Sequence, residues 1–205
     1  MNKIEQESVK NIYEIIATQF SNKRYETWDW INKFIFFFPI NSTILDLGCG
    51  NGRNMMNNNY NFIGIDNCNN LINIAINKNL NVILSDMTKL PFNNNTFDAI
   101  ISIASFHHLS NISRRKECLS EMKRVLNNGK ILLSVWSIDQ SHNKKLKNQF
   151  IYGDNLVPFC DNKGNVLGNR YYYIFELNEI ISLLSEFFII ESHYWIHGNE
   201  VFILY

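Results

Sequence analysis

Three carboxylates recur in the first half of the chain, each closing a short apolar run: Thr43-Ile44-Leu45-Asp46, Phe62-Ile63-Gly64-Ile65-Asp66 and Val82-Ile83-Leu84-Ser85-Asp86. Asp46 opens the loop Asp46-Leu47-Gly48-Cys49-Gly50-Asn51-Gly52. Its glycines allow a sharp turn and a close approach of backbone to a ligand, with no Cβ in the way. A glycine triplet by itself is also compatible with a plain turn. Asp66, twenty residues after Asp46, adds a carboxylate where ribose hydroxyls can be held. Ser85-Asp86-Met87 then offers an acceptor for an exocyclic amine and an apolar side chain for a ring face. Three acidic strand ends in succession describe a site for a nucleotide cofactor. Asp98 begins its own apolar run at the other edge of the sheet and is expected to stand outside that site.

The glycine spacing selects among cofactors. Counted from Gly48, the sixth position of a dinucleotide fingerprint is Arg53 rather than Gly or Ala, so a pyrophosphate is a poor fit. The methionine end of S-adenosylmethionine fits better. The expected contacts to that cofactor are Asp46, Gly48, Cys49, Gly50, Asn51, Asp66, Asp86, Met87 and Ile103.

The elements that must position these residues follow from periodicity. Residues 4–20 have apolar side chains at helical spacing, and a second helix is expected over 25–38. Strands at 43–47, 62–66, 82–86, 97–103 and 130–136 alternate with helices at 71–77 and 114–126, the last ended by Asn127-Asn128-Gly129. Such alternation predicts an α/β fold with a doubly wound, mostly parallel sheet. A helix over 176–184 and runs at 187–191 and 200–204, joined through His197-Gly198-Asn199, predict an antiparallel C-terminal strand. One domain over 1–205 is expected, with N-terminal helices in 1–40 and the cofactor core at about 41–137.

Composition excludes several classes. With 46% hydrophobic residues, 19% charged residues and zero net charge, the chain is neither disordered nor strongly polyelectrolyte. No run reaches the roughly 20 apolar residues of a membrane span. The polar N-terminus resembles neither a secretory nor a transit segment, so a cytoplasmic location, or a nuclear one, is expected. Cys49, Cys68, Cys118 and Cys160 form no CxxC pair, so they read as reduced thiols and no metal site is expected. Between Asn111 and Phe150, nine of the nineteen Lys and Arg residues face only Glu117, Glu121 and Asp139. That excess reads either as a solvated helix face or as a phosphate-binding surface.

Ile44 to Arg53, the stretch Ser102-Ile103-Ala104-Ser105-Phe106-His107-His108, Glu121 to Leu126 and Val135-Trp136-Ser137 resemble the eukaryotic tRNA carboxymethyluridine methyltransferases of class I, one of which is fused to an AlkB-type hydroxylase in animals. Arg24-Tyr25-Glu26-Thr27-Trp28, Leu156-Val157-Pro158-Phe159 and Arg170-Tyr171-Tyr172 are similar to that family's flanking motifs. The sequence departs from the pattern at Tyr173, where the family has histidine, and in its short connection between Trp136 and Arg170.

The resemblance implies a Rossmann-like methyltransferase that esterifies the carboxylate of 5-carboxymethyluridine at the tRNA wobble position. It implies Arg24 and Arg170 as holders of that carboxylate, since a guanidinium fork grips one oxygen pair without masking attack. Tyr25, Tyr171 and Tyr172 would frame the base, and His107 would position the substrate, with His108 either contacting the substrate beside it or serving at a helix start or in packing; which of the two faces the substrate is left open. The implied partners are a tRNA anticodon loop, contacted by Arg114, Arg115, Lys144, Lys145 and Lys147, and a small zinc-binding activator subunit forming a heterodimer. The alternatives are a small-molecule O- or N-methyltransferase on the same fold and a non-catalytic scaffold.

Overall fold

The computed structural model describes residues 2–143 and 149–205. The expected apolar runs form parallel strands β1 (Thr43–Leu47), β2 (Asn61–Asp66), β3 (Val82–Leu84), β4 (Phe97–Ile103) and β5 (Leu126–Trp136). A hairpin of β6 (Gly153–Cys160) and β7 (Val166–Ile174) stands apart as a second small sheet, followed by β8 (Ile190–Ile196) and β9 (Asn199–Leu204). The main sheet runs β3-β2-β1-β4-β5-β9-β8, with β9 antiparallel to both of its neighbours. It is the doubly wound, mostly parallel sheet that the alternation predicts, closed by antiparallel strands.

Pleating divides the core between two faces. Leu45 and Leu47 of β1 and Ile131 and Leu133 of β5 pack against α5 (Ile112–Val125) and α6 (Leu177–Ser185) through Leu119, Met122, Ile180 and Leu184. Ile44, Ile101 and Leu132 point the other way, onto α3 (Asp29–Ile35) and α4 (Asn69–Ile76) through Trp30, Ile31, Phe34 and Ile72. The chain enters through α1 (Lys3–Glu5), a π turn at Gln6–Lys10, and α2 (Asn11–Asn22), which packs on α4 and on β7. Gly129 permits β5 to lie beside β4, because a Cβ there would sit 1.8 Å from the Asp98 carbonyl oxygen. Asp98 itself accepts the Thr43 N–H at 2.8 Å, a structural task that leaves it outside the site.

Several boundaries differ from the periodicity reading: β3 stops at Leu84 instead of 86, and α5 ends at Val125, so that Asn127, Asn128 and Gly129 lie within β5 instead of ending the helix. The second helix starts only at Asp29, because Trp28 is extended (φ −74, ψ 142), so residues 24–28 form a linker. The strand expected at 187–191 is displaced to Ile190–Ile196, since Phe187 and Phe188 still hydrogen-bond to Leu184 in the turn that ends α6. The β6–β7 hairpin was not expected. Its counterpart, β8–β9, closes on His197 and Gly198 with φ values of 48 and 73, the left-handed pair that suits a two-residue hairpin turn.

Candidate active site

A pocket of about 1140 Å³, counting its open mouth, lies at the carboxyl ends of the parallel strands, where open α/β sheets bind ligands. Its floor is the glycine loop. Gly48 has φ 81, and a Cβ on it would lie 2.4 Å from Ser105 Cβ, so only glycine lets the loop close against β4. A Cβ on Gly50 would project into the cavity, with nothing nearer than Phe20 Cε1 at 3.8 Å. The Gly50 N–H donates to Asp66 Oδ2 and the Cys68 N–H to Asp66 Oδ1, both at 2.9 Å. Burial pushes the Asp66 carboxyl up, against the pull of these N–H groups.

Asp86 and Met87 line the same pocket. Burial disfavours the Asp86 carboxylate, but the Thr88 N–H and Arg114 outweigh it and hold its pKa below the usual range. Arg114 is gripped from two sides, with Nε on Glu5 Oε2 at 2.7 Å and an Nη on Asp86 Oδ2 at 2.7 Å. Glu5 of α1 thereby straps the N-terminal helix over this end. Gly48, Cys49, Gly50, Asn51, Asp66, Asp86, Met87 and Ile103 all line the pocket. Asp46 does not. It lies beneath the loop, fully buried, and burial raises its carboxyl to about 7, with Arg53 opposing.

The opposite wall comes from α2, the start of the linker and β7. Strand alternation decides which side chains of Arg170-Tyr171-Tyr172-Tyr173 face the cavity. Arg170 and Tyr172 line it; Tyr171 turns outward and donates to Asp154 Oδ1 at 2.6 Å. Tyr173 also points outward, donating to Glu179 at 2.8 Å under the Arg115 guanidinium. Position 173, where the sequence departs from the motif it resembles, therefore lies off the pocket wall.

Arg170 is 7% exposed, its guanidinium lies 5.2 Å from the rings of both Phe159 and Tyr172, and its Nε has no partner. Among the described residues no carboxylate pairs with it. Tyr172 stacks on Trp136 at 4.2 Å and 11°.

Of the histidine pair, His108 and not the favoured His107 reaches the pocket. His107 is completely buried and absent from the pocket lining. Its Nδ1 accepts the Trp136 N–H at 3.0 Å, so the proton sits on Nε2, and burial drives its pKa well down. His108 lines the pocket. Its Nδ1 donates to the Tyr171 carbonyl at 2.7 Å, leaving Nε2 to accept from the Tyr13 hydroxyl at 3.2 Å. Burial lowers the His108 pKa to about 4. A strand end followed by one turn of 3-10 helix presents alternate sides of the chain, and the second histidine meets the cavity.

Residues 45–134 match a family model described as a methyltransferase domain. Over 201 residues the chain is 36% identical to the tRNA (carboxymethyluridine(34)-5-O)-methyltransferase of Schizosaccharomyces pombe, spanning 86% of this chain and 87% of that one. The chain belongs to that family. A member from Arabidopsis thaliana is 39% identical over 140 residues, 67% of this chain, but only 35% of that relative's length is spanned. Solved structures share the fold: a SAM-dependent methyltransferase from Methanosarcina mazei (TM-score 0.70, 19% identity, 87% and 97% of the two chains) and a methyltransferase of Haloferax volcanii in complex with the Trm112 methyltransferase activator (TM-score 0.68, 13%, 94% and 96%).

In this tRNA methyltransferase family member the remaining expected residues divide. Arg24 lines the pocket, with its guanidinium 5.6 Å from the Phe20 ring. Tyr25 is 75% exposed and faces an adjoining hollow instead. The basic segment does not form a phosphate surface where it is described. Arg114 is held by Glu5 and Asp86, Arg115 is buried against Tyr173, and Lys116, Arg124 and Lys130 pair with Glu186, Glu121 and Glu191. Lys144, Lys145 and Lys147 lie outside the described residues.

Sequence reasoning missed Tyr13, Phe20 and Ser105 as lining residues, and did not assign Trp136 to the site. Trp136 ends a parallel strand at the ligand edge, the same signal that singled out the histidines. Tyr13 had no signal, because a helix that crosses a distant strand end leaves no local pattern.

Proposed function

We propose that this protein transfers a methyl group from S-adenosylmethionine to the carboxylate of 5-carboxymethyluridine at the tRNA wobble position, giving the methyl ester. The observation that carries this reading is Arg170, a buried guanidinium on the pocket wall with no carboxylate of its own. A buried cation without a counter-ion is costly, and an anionic acceptor would supply one. Tyr172 and Trp136 present stacked aromatic surface beside it, suited to a flipped pyrimidine.

When bound, S-adenosylmethionine supplies a methyl on a sulfonium sulfur, which a carboxylate oxygen displaces with no proton to remove. The residues of this chain therefore have positioning and desolvation to do rather than base catalysis. Asp66 would hold the ribose, Asp86 and Met87 the adenine end, and Gly48 and Gly50 would let the loop approach the methionine end. Arg170 and Arg24 would orient the acceptor, and neutral His108, buttressed by Tyr13, would border it without competing for its charge.

The test is methyl transfer from labelled cofactor to tRNA bearing the carboxymethyl group. Labelled ester that is lost in Arg170→Ala is expected. Efficient turnover of a free carboxylate or amine metabolite, with none on tRNA, would overturn the reading. An activator subunit is part of this proposal. The exposed Ile83 and Leu84 on edge strand β3 and the activator-bound neighbour of the same fold support it, and co-purification of a small partner whose loss exposes that edge is the check.

A further inference from the structure

The clustered cations of the molecule fall into two populations. Along α5 and β5 they are spent on internal carboxylates, carbonyls and rings. Lys23, Arg24 and Lys78, at the end of α2, in the linker and just past α4, hydrogen-bond only to neutral groups among the described residues, and Arg53 faces Asp46, whose carboxyl burial has pushed up to about 7. Lys78 Nζ donates to the Asn51 carbonyl at 2.8 Å, Lys23 Nζ to the Cys160 carbonyl at 3.3 Å and an Arg24 Nη to the Lys23 carbonyl at 3.3 Å. The Arg53 guanidinium lies 4.4 Å from the Trp28 ring. Burial lowers its pKa to about 10, with the Arg24 charge adding to the effect.

Arg53 and Lys78 line an open hollow together with Tyr25, and that hollow adjoins the cofactor pocket through Asn51 and Arg53, which line both. Glu26 and Asp29, the nearest acids in sequence, do not line it. Cations that outnumber the carboxylates near them, here with only Asp46 acting on Arg53, raise the local potential and attract an anionic polymer. An exposed aromatic ring beside such a row is the combination that binds single-stranded nucleic acid.

We propose that the RNA strand flanking the reactive nucleotide runs from the linker across this hollow, with its phosphates on Arg53 and Lys78 in the hollow and on Lys23 and Arg24 beside it, and a neighbouring base stacked on Tyr25. The inference rests on the RNA-substrate reading above. It places the nucleic-acid surface on the linker between α2 and α3 and the end of α4, not on the basic segment of α5 and β5.

The experiment measures binding of a fluorescent anticodon-arm RNA without the carboxymethyl group, over a range of salt concentrations. The proteins are wild type, Lys23→Gln, Lys78→Gln, Tyr25→Ala and the controls Lys116→Gln and Lys130→Gln. Each of the first two is expected to reduce the slope of log affinity against log salt by roughly 0.7. Tyr25→Ala is expected to weaken binding roughly fivefold or more with the slope unchanged, and the controls to match wild type. Cofactor affinity, measured alongside, separates RNA contact from damage to the glycine loop that Lys78 touches, and Lys23 carries the same test without that contact.

Loss of slope in the controls but not in the Lys23 and Lys78 variants would overturn the proposal, while methylation of carboxymethylated RNA would leave the functional reading standing. Wild-type protein that binds no RNA yet methylates a free nucleoside would remove both.

Discussion

The two ends of the pocket are built by different means. The cofactor end is made of parallel strand termini, and its key contacts span short stretches, such as Gly50 N–H to Asp66 across the β1–β2 connection. The acceptor end is assembled from α2, the linker and β7, so that Tyr13, Arg24, His108 and Arg170 meet only in three dimensions. The first is a property of the sheet and comes with the fold; the second is added to it. Solved structures at 13–19% identity share the fold, and the proposed acceptor specificity would rest on the second end.

The sharpest way to break this comparison is Arg170→Ala. It should lower kcat/KM for the carboxymethylated RNA roughly 100- to 1000-fold, the scale of losing a buried charge partner, with cofactor affinity unchanged in calorimetry. Arg170→Lys should recover little, because a point charge cannot grip both carboxylate oxygens. Asp66→Asn is the reciprocal change. It should raise the cofactor dissociation constant roughly 10- to 100-fold, as expected for hydrogen bonds to a charged group, and a larger effect on acceptor KM than on cofactor binding would contradict the division.

A smaller effect separates adjacent tyrosines. Tyr171→Phe loses the hydroxyl contact to Asp154 and should cost about 1 kcal/mol in denaturant unfolding with turnover intact. Tyr172→Ala should impair turnover. Equal kinetic damage from both would refute the strand alternation assigned to β7. The smallest expected effect is on pH dependence. With the His108 pKa at about 4, that ring is already neutral well below neutrality, and a carboxylate acceptor is already ionised. At saturating cofactor, so that Asp46 at about 7 beneath the glycine loop bears on cofactor binding instead, the chemical step should show no rise tied to His108 between about pH 6 and 8, and a rise that disappears in His108→Gln would assign that ring a proton-transfer role.

Legibility followed the same division. The order of β1 to β5 and the roles open to Gly48, Gly50, Asp66 and Asp86 were readable because each depends on neighbours in sequence. The β6–β7 hairpin was not, since its half-exposed strands, one bearing Pro158 at the edge, lack the long apolar run that marks a buried strand. The choice between His107 and His108 stayed open for a finer reason. Which of two adjacent side chains enters a cavity is set by one turn of backbone, and residue type carries no trace of it. Charge counting over residues 111–150 could not choose between a solvated face and a phosphate surface, because composition reveals the cations but not the carboxylates, Glu5, Asp86, Glu186 and Glu191, that neutralise Arg114, Lys116 and Lys130 from elsewhere.

Helix α2 has Tyr13 and Glu14 side by side. Glu14 accepts the N–H groups of Asn69 and Asn70 at 2.6 and 2.9 Å, fixing the start of the helix that follows Asp66, while the Tyr13 hydroxyl reaches His108. One turn thus reports on both ligands at once. Occupancy of either end should alter the affinity of the other by the same factor, as thermodynamic reciprocity requires, and Glu14→Gln should shrink that factor while leaving each separate affinity nearly intact. Order of binding and speed of product escape would then be governed by a helix that takes no part in the chemistry.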